Sequence, residues 1–339
     1  MDRKVFRIVA AVAGLALVLA MAALFLRPSA QESAGAGERL FPTLLDVANQ
    51  VEMVAIASGR ETLTLERKDG RWSLAERHGY PVGADRVRAV VLGLADLRIL
   101  EAKTKLPEHH KALGVEDSGL KDSTSREVTL FDAKGQKVAA AIVGRPKFDV
   151  GGGERGLYIR RAGEDQAWLV KGQVDLGQGS ADWLEREIVD VAAERVASIA
   201  IRHPDGETLV ASRSSADEKH LSVKGVAAKR EDILDGMMAG LSHLMLDDVR
   251  KADDLEIGDA YLTRAEVTTF DGLTVKLRIG KLLQEYWIWL AAEGNEEAAK
   301  LDARLKPWVY RIPSFKAERF LRRTSDIRKA EEEKASGKR

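Results

Sequence analysis

The residues that could carry out chemistry are few in this chain and widely separated. Its six histidines are scattered, and His109-His110 is the only adjacent pair. Neighbouring residues project about 100° apart on a helix, whereas two histidines that share a metal on one helix face need i, i+4 spacing. We therefore interpret His109 and His110 as part of a solvated loop, with metal binding by this pair as the less favoured alternative.

Acidic pairs occur at Asp247-Asp248 and Asp253-Asp254, and paired carboxylates can share a proton or hold a cation. Arg250 and Lys251 lie between the two pairs, so a polar connector that neutralises its own charges is the favoured interpretation. Gly151-Gly152-Gly153 lacks the Lys-Ser or Lys-Thr ending of a phosphate loop, and we interpret it as a hairpin loop.

The remaining chemistry-bearing residue types add no site. The serines form no Gly-x-Ser-x-Gly elbow, and the absence of cysteine removes thiolate nucleophiles and thiolate metal ligands. We therefore predict no catalytic, cofactor-binding or metal-binding residues, no cofactor, and a protein that is not an enzyme. The equal numbers of acidic and basic residues, 53 each, argue against a nucleic-acid-binding protein.

Three aromatic side chains are the candidate partner-binding residues. Trp287 and Trp289 alternate in a short predicted strand and so face the same side, and Tyr80 precedes the first predicted helix. If they are exposed, the two tryptophans are natural anchors for a partner or a lipid surface. Burial of the tryptophans against a helix is the alternative interpretation, and Tyr80 is either a surface corner or a packing wedge.

The elements that position these residues are predicted to occur twice. Residues 51–56 and 196–201 each open a three-strand meander, with turn signals at Asp69-Gly70 and Pro204-Asp205-Gly206. Each meander leads into a helix, because apolar residues recur there at helical spacing. They are Val87, Val90, Val91, Leu94 and Leu97 in the first unit, and Ile233, Met237, Leu241 and Leu244 in the second.

Each predicted helix is followed by a similar phrase, at residues 112–117 and 254–259, and by a hairpin that ends on Gly144 or Gly280. A helical segment over 181–189 is expected before the second unit. We therefore predict an α+β fold with two tandem repeats of antiparallel sheet and packed helix. The first repeat is predicted over 41–190 and the second over 191–318, with a charged tail over 319–339.

An apolar run from Ile8 to Leu26 near the start of the chain predicts a transmembrane helix. At about 1.5 Å per residue it spans roughly 28 Å, close to the thickness of a bilayer core. Basic residues precede it, so the N-terminus is expected in the cytoplasm and the bulk of the chain in the periplasm; they are Arg3, Lys4 and Arg7. Residues 1–27 would be the leader and anchor, and 28–40 a linker. Cleavage after Ala34-Gly35-Ala36, as in a signal peptide, is the less favoured alternative.

Several short motifs carry a resemblance to a known family by their order along the chain. They are Arg39-Leu40-Phe41-Pro42, residues 66–72, Gly79-Tyr80-Pro81-Val82, Leu94-Ala95-Asp96-Leu97 and Ala112-Leu113-Gly114-Val115. From about residue 40 to 315 the chain resembles the bacterial envelope family of domain of unknown function 4340 (DUF4340). This resemblance implies one N-terminal membrane helix and a repeated α+β extracytoplasmic part. It also implies an accessory subunit of an ABC transporter-like complex, with an ATPase, a permease and a gliding-motility-type auxiliary protein as partners.

The leading functional prediction is a single-pass inner-membrane protein whose periplasmic repeats form a non-catalytic accessory subunit of such a complex. The alternative is a periplasmic module that binds lipid or glycan in a cleft between the repeats. An envelope enzyme with an unfamiliar site is a third hypothesis, which would require several carboxylates or histidines to converge in a cleft.

Overall fold

The computed structural model describes residues 36–59, 61–120, 122–226 and 230–328. Within those ranges the chain forms antiparallel sheets and several helices, so the α+β prediction is confirmed. The strands of the amino-terminal half are β1 Val51–Ala57, β2 Thr62–Lys68, β3 Arg71–Leu74, β4 Tyr80–Pro81, β5 Arg98–Ala102, β6 Arg126–Asp132, β7 Lys137–Lys147, β8 Gly156–Arg161 and β9 Ala167–Lys171. Those of the other half are β10 Glu187–Val189, β11 Val196–Arg202, β12 Thr208–Ser212, β13 Ser222–Val223, β14 Leu244–Met245, β15 Asp248–Lys251, β16 Thr263–Thr269, β17 Leu273–Leu282, β18 Glu285–Gly294 and β19 Trp308–Ile312.

The helices in the described ranges are fewer than the strands. They are α1 Leu44–Val47, α2 Ala84–Asp96, α3 Pro107–Leu113, α4 Glu231–Met238, α5 Glu296–Leu305, α6 Ser314–Ala317 and α7 Thr324–Ile327. None of the helices in the described ranges is long and apolar enough to cross a membrane. The predicted anchor from Ile8 to Leu26 lies outside those ranges, as do most of the predicted linker and residues 329–339 of the predicted tail.

The chain divides into two compact units. One contains the residues up to Trp72 together with Ala84–Gly177, and the other contains Ser73–Gly83 together with Gln178 and the residues after it. The units therefore differ from the continuous ranges expected from the sequence, in which the first ran to residue 190. The short segment joins the second unit because Tyr80 packs there, with its ring centroid 4.9 Å from that of Trp308 and 6.3 Å from that of Tyr310.

The two large sheets have corresponding strand orders. In the first, the order is β3-β2-β1-β6-β7-β8-β9-β5, with β4 beside β3; in the second it is β13-β12-β11-β16-β17-β18-β19-β15. Alternation of side chains sets which face is buried. In β16, for example, Ala265 and Val267 are buried while Arg264 and Glu266 are exposed.

The two predicted helices differ in length. Helix α2 buries the predicted stripe of Val87, Val90, Val91 and Leu94. Helix α4 ends at Met238, so the prediction that its apolar spacing continues as helix to Leu244 is wrong. The chain leaves the helix just before Gly240, and glycine is a poor helix former. Only glycine fits there, because a Cβ atom would lie 2.3 Å from the ring of Phe320.

The predicted helix over 181–189 is also wrong. Ser180–Asp182 form a single 3-10 turn and Glu187–Val189 form β10, which pairs with β14 through Val189 and Leu244. Ile188 and Val189 are buried there, so pairing and burial outweigh the helical tendency of the preceding Glu-Arg-Glu sequence. Helix α5 was not predicted. Its N-cap is Asn295, whose side chain accepts a hydrogen bond from the backbone N–H of Ala298.

In each unit a connecting segment covers one face of the sheet, and we call residues 113–117 and 252–262 the two covering segments. In the first unit Val115 packs on Ile142 and Ala167. In the second, Leu255 and Leu262 pack on tryptophans of β18. These segments overlap the two similar phrases seen in the sequence.

The glycines that end both predicted hairpins lie beneath the covering segments. A Cβ atom at Gly144 would lie 2.5 Å from the carbonyl oxygen of Leu113, and one at Gly280 would lie 2.6 Å from the Ile257 Cδ1 atom. Such separations are too short for any side chain. The glycines therefore allow the covering segments to approach the sheets closely.

Candidate functional site

The three predicted partner-binding residues are buried. The exposed fractions are 1% for Trp287, 8% for Trp289 and 5% for Tyr80. The two tryptophans do share one face, but Leu255 and Leu262 of the second covering segment pack on it, rather than the expected helix. Exposure, on which the anchor hypothesis depended, is not met for the tryptophans.

Tyr80 is a packing residue of the second unit. Its hydroxyl donates a hydrogen bond to the carbonyl oxygen of Glu185 at 3.2 Å. Burial raises the pKa of the Tyr80 phenol and also that of Tyr310. Both phenols are therefore neutral at physiological pH and act as hydrogen-bonding groups within an aromatic core.

His109 and His110 lie on helix α3 and not in the predicted loop. His109 is exposed, whereas His110 is buried and its Nε2 atom lies 2.9 Å from the carbonyl oxygen of Asp165. A proline at the first helical position favours this short helix. His110 is therefore a buried, hydrogen-bonded residue of the first unit.

The glycine run behaves as the simpler interpretation predicts, but the acidic pairs do not neutralise their charges with the intervening Arg250 and Lys251, whose side chains lie over Trp287 and Trp308. A carboxylate oxygen of Asp248 lies 3.3 Å from Arg77 Nε, and one of Asp254 lies 3.3 Å from His78 Nε2. The glycines at 151–153 lie in the loop between β7 and β8, all with positive φ. The acidic pairs thus contribute to ion pairing of the second unit, and the glycines form an exposed hairpin loop.

One group of potential metal ligands was missed, because its members are far apart in sequence. Ligand atoms of Glu187, Asp190 and His243 all lie within 4.8 Å of one another, and all three residues are exposed. His243 Nδ1 lies 3.2 Å from Asp190 Oδ2 and 3.7 Å from Glu187 Oε2. These are the contacts of a surface histidine–carboxylate ion-pair cluster, and we assign no metal to it.

A groove crosses one face of the second sheet and has a volume of about 730 Å³. Strands β11, β16, β17 and β18 form its floor, and residues 252–253 of the second covering segment form part of its wall. We call it the basic groove, because five basic and two acidic residues line it. They are Arg202, Arg264, Lys276, Arg278, Lys306, Asp253 and Glu266.

Three arginines form a row across adjacent strands of the basic groove. Arg202 is the direct register partner of Arg264, and Arg264 is that of Arg278. Arg278 in turn is opposite Trp289. Residues directly opposite in antiparallel strands share a face, with Cβ atoms about 5 Å apart, and like charges in such positions repel. We call these three residues the arginine row.

The charges of the arginine row are only partly balanced within the protein. Arg264 lies 3.1 Å from Asp259, and Arg278 lies over the Trp289 ring at 5.4 Å from its centroid. Among the described residues, no carboxylate forms an ion pair with Arg202 or Lys306. The basic groove therefore offers guanidinium and ammonium groups to an external anion.

A second row, parallel to the first, contains smaller and mixed side chains. Ala200 is opposite Glu266, Glu266 is opposite Lys276, and Lys276 is opposite Ala291. Arginine can bind a carboxylate through two parallel hydrogen bonds. The arrangement is therefore suited to binding an anionic ligand.

The hairpin turn at Asp271-Gly272 is the sequence signal that could have revealed two of the three residues of the arginine row. Counting back from a three-residue loop over 270–272 aligns β16 with β17 and places Arg264 opposite Arg278. Arg202 could not have been added in this way, because β11 reaches β16 only through a long connection.

The fold and the groove together define an α+β protein with two large antiparallel sheets and a groove on the second of them. The family model described as Domain of unknown function (DUF4340) matches residues 72–266, more than half of the chain. The chain therefore belongs to this family. Neither the curated proteins nor the solved structures contain a match.

Proposed function

We propose that this protein is a single-pass inner-membrane protein whose periplasmic units bind other envelope proteins as a non-catalytic accessory subunit. The observation that carries this proposal is the basic groove, an open recognition surface of about 730 Å³ on a sheet. A surface built on paired strands is held in shape before a partner arrives, which reduces the entropy lost on binding.

The membrane part of the proposal is supported by the sequence. The apolar run from Ile8 to Leu26 is long enough to span a bilayer, and basic residues before it favour a cytoplasmic N-terminus. An anchor of this kind keeps the soluble units at high effective concentration beside a membrane complex. The ABC-type ATPase, permease and auxiliary protein are the proposed partners through the family resemblance.

We also propose that the two units are tandem repeats. Their corresponding strand orders, the covering segment in each, and the glycine beneath each segment support this proposal. Only the second unit has the arginine row, because the corresponding register partners in the first sheet are Ala57, Glu127 and Ile142. Duplication would then have left one copy as a scaffold while the other acquired charge.

Crosslinking of the full-length protein in native membranes, followed by affinity purification and mass spectrometry, tests the proposed function. We expect an ABC-type ATPase and a permease to be recovered with the protein. An unrelated single-pass membrane protein of similar abundance serves as the control. Recovery of the protein alone, under conditions in which known membrane complexes survive, would contradict the proposal; co-purified lipid or glycan would favour the alternative of a ligand-binding module.

A further inference from the structure

We infer that the basic groove binds an acidic, extended segment of a partner polypeptide, whose carboxylates pair with the arginine row. This inference rests on the proposed function, and it adds the binding surface and the chemistry of the partner.

The first argument is the charge of the groove. Three arginines from adjacent strands are direct neighbours on one face, and their mutual repulsion is unfavourable in the unbound protein. Asp259 pairs with Arg264 alone, and Arg202 has no carboxylate partner among the described residues. An external anion would offset this repulsion. Carboxylates suit it because each can bind one guanidinium group through two hydrogen bonds.

The second argument is the length of the groove. From Thr208 on β12 to Trp289 on β18 it crosses five neighbouring strands. With strands about 4.8 Å apart, that distance is roughly 19 Å, which about six residues of extended polypeptide would span. Every second side chain of such a segment points to the same side, about 6.8 Å apart. This is longer than the strand spacing of about 4.8 Å, but arginine side chains are long enough to bridge the difference, so alternate acidic residues can reach successive arginines.

The third argument concerns the other residues of the groove and distinguishes a polypeptide from a lipid or a uniform polyanion. Apolar residues such as Ala200, Ala291 and Trp289 line the groove together with five basic and two acidic residues, so an acyl chain would also meet charged groups. Glu266 and Asp253 would repel a continuous polyanion, whereas a peptide can offer them backbone N–H groups.

Peptide binding by the full-length protein tests this inference. The protein would be held in nanodiscs of phosphatidylcholine, and the probe is a fluorescein-labelled peptide of alternating Glu and Ala, about eight residues long. The matched peptide has Gln in place of Glu. By fluorescence anisotropy we expect the Glu peptide to bind at least about tenfold more tightly than the Gln peptide. The affinity should also fall as salt rises from about 50 to about 200 mM.

Two matched double variants show whether the peptide binds in the groove or to positive charge anywhere on the protein. In R202Q/R278Q the affinity for the Glu peptide should fall about tenfold or more. In R71Q/R155Q, which removes two exposed arginines of the first unit, it should change less than about twofold. Thermal unfolding of each variant shows whether its fold is retained. An equal loss in both variants, or equal binding of the two peptides, would overturn the inference.

Other occupants would give different results. Binding of phosphatidylglycerol vesicles that depends on Arg202 and Arg278, without peptide binding, would replace the polypeptide with a lipid. A tenfold gain in peptide affinity in E331Q/E332Q/E333Q would identify the tail of this chain as the occupant. Crosslinking of the variant distinguishes this inference from the proposed function. If R202Q/R278Q still recovers the ABC components, this inference fails and the proposed function stands. If the peptide binds through the arginine row but no partner is recovered, the result supports the groove chemistry and counts against the accessory-subunit proposal.

Discussion

Glu116 is a buried carboxylate that organises the connection from α3 to β6 in the first unit. Its Oε1 atom accepts hydrogen bonds from the Thr124 backbone N–H at 2.8 Å and from the Thr124 hydroxyl at 3.2 Å. Burial alone would raise the pKa of Glu116, but these hydrogen bonds favour the charged form and the net result is a lowered pKa. The ionised side chain therefore stabilises the folded state.

The sign of this shift predicts a pH dependence. Because the pKa in the folded state lies below that in the unfolded state, the stabilisation is present above about pH 4.5 and is lost as the pH falls through the folded value. Glu116→Gln should lower the free energy of unfolding by about 1 kcal/mol near pH 7. Urea unfolding at about pH 7 and about pH 3.5 measures the effect. The difference between wild type and variant should shrink at the lower pH, and a difference that stays constant would contradict the linkage.

Single residues also show what the sequence could reveal about the site. The alternation of Trp287 and Trp289 correctly predicted their common face, since strand periodicity is local. What covers that face could not be predicted, because Leu255 and Leu262 come from a segment that reads as a polar connector. The arginine row was missed for a related reason: its members come from three strands whose adjacency is a property of the whole sheet.

The covering segments pack so closely on the sheets that the positions beneath them must be glycine. Gly144→Ala should lower the free energy of unfolding by roughly 2–3 kcal/mol, because the new Cβ atom meets the backbone oxygen of Leu113, which cannot move alone. Gly280→Ala should cost less, because its nearest neighbours are the ends of the Ile257 and Leu262 side chains. Denaturant unfolding of both variants provides the comparison.

Gly236 in α4 is the control for this pair. A Cβ atom there would meet nothing within 4 Å, so Gly236→Ala should stabilise the protein by about 0.5–1 kcal/mol through helix propensity. If Gly144→Ala behaved like Gly236→Ala, close approach of the first covering segment would not be the reason for the glycine.

Elements with strong local patterns were predicted well from the sequence. The opening strands and helix α2 agree with their predicted positions because alternation and helical spacing act within a few residues. Helix α5 was missed because five of its ten residues are charged and only three of its residues are buried. The segment over 181–189 was assigned wrongly because a strand of three residues depends on its distant partner, β14.

At the scale of the molecule, the placement of Ser73–Gly83 in the second unit predicts which strands lose stability when the Tyr80 side chain is removed. Tyr80→Ala would remove a buried ring that contacts Trp308 and Tyr310, and should cost roughly 3–5 kcal/mol. Hydrogen exchange should show reduced protection in β18 and β19, while β6 and β7 of the first unit remain protected. Tyr261→Ala is the control, since that side chain is 77% exposed and its removal should have little effect. Loss of protection centred on β6 and β7 would contradict the assignment of this segment.

The same segment has a consequence for the time course of synthesis. Tyr80 is translated roughly 230 residues before Trp308 and Tyr310, which at about 5–20 residues per second is a delay of on the order of 10–50 s. During that interval β1, β2, β6 and β7 are all complete and can pair, while the aromatic partners of Tyr80 do not yet exist. The aromatic contacts of this segment of eleven residues can therefore form only after nearly the last strand has been made.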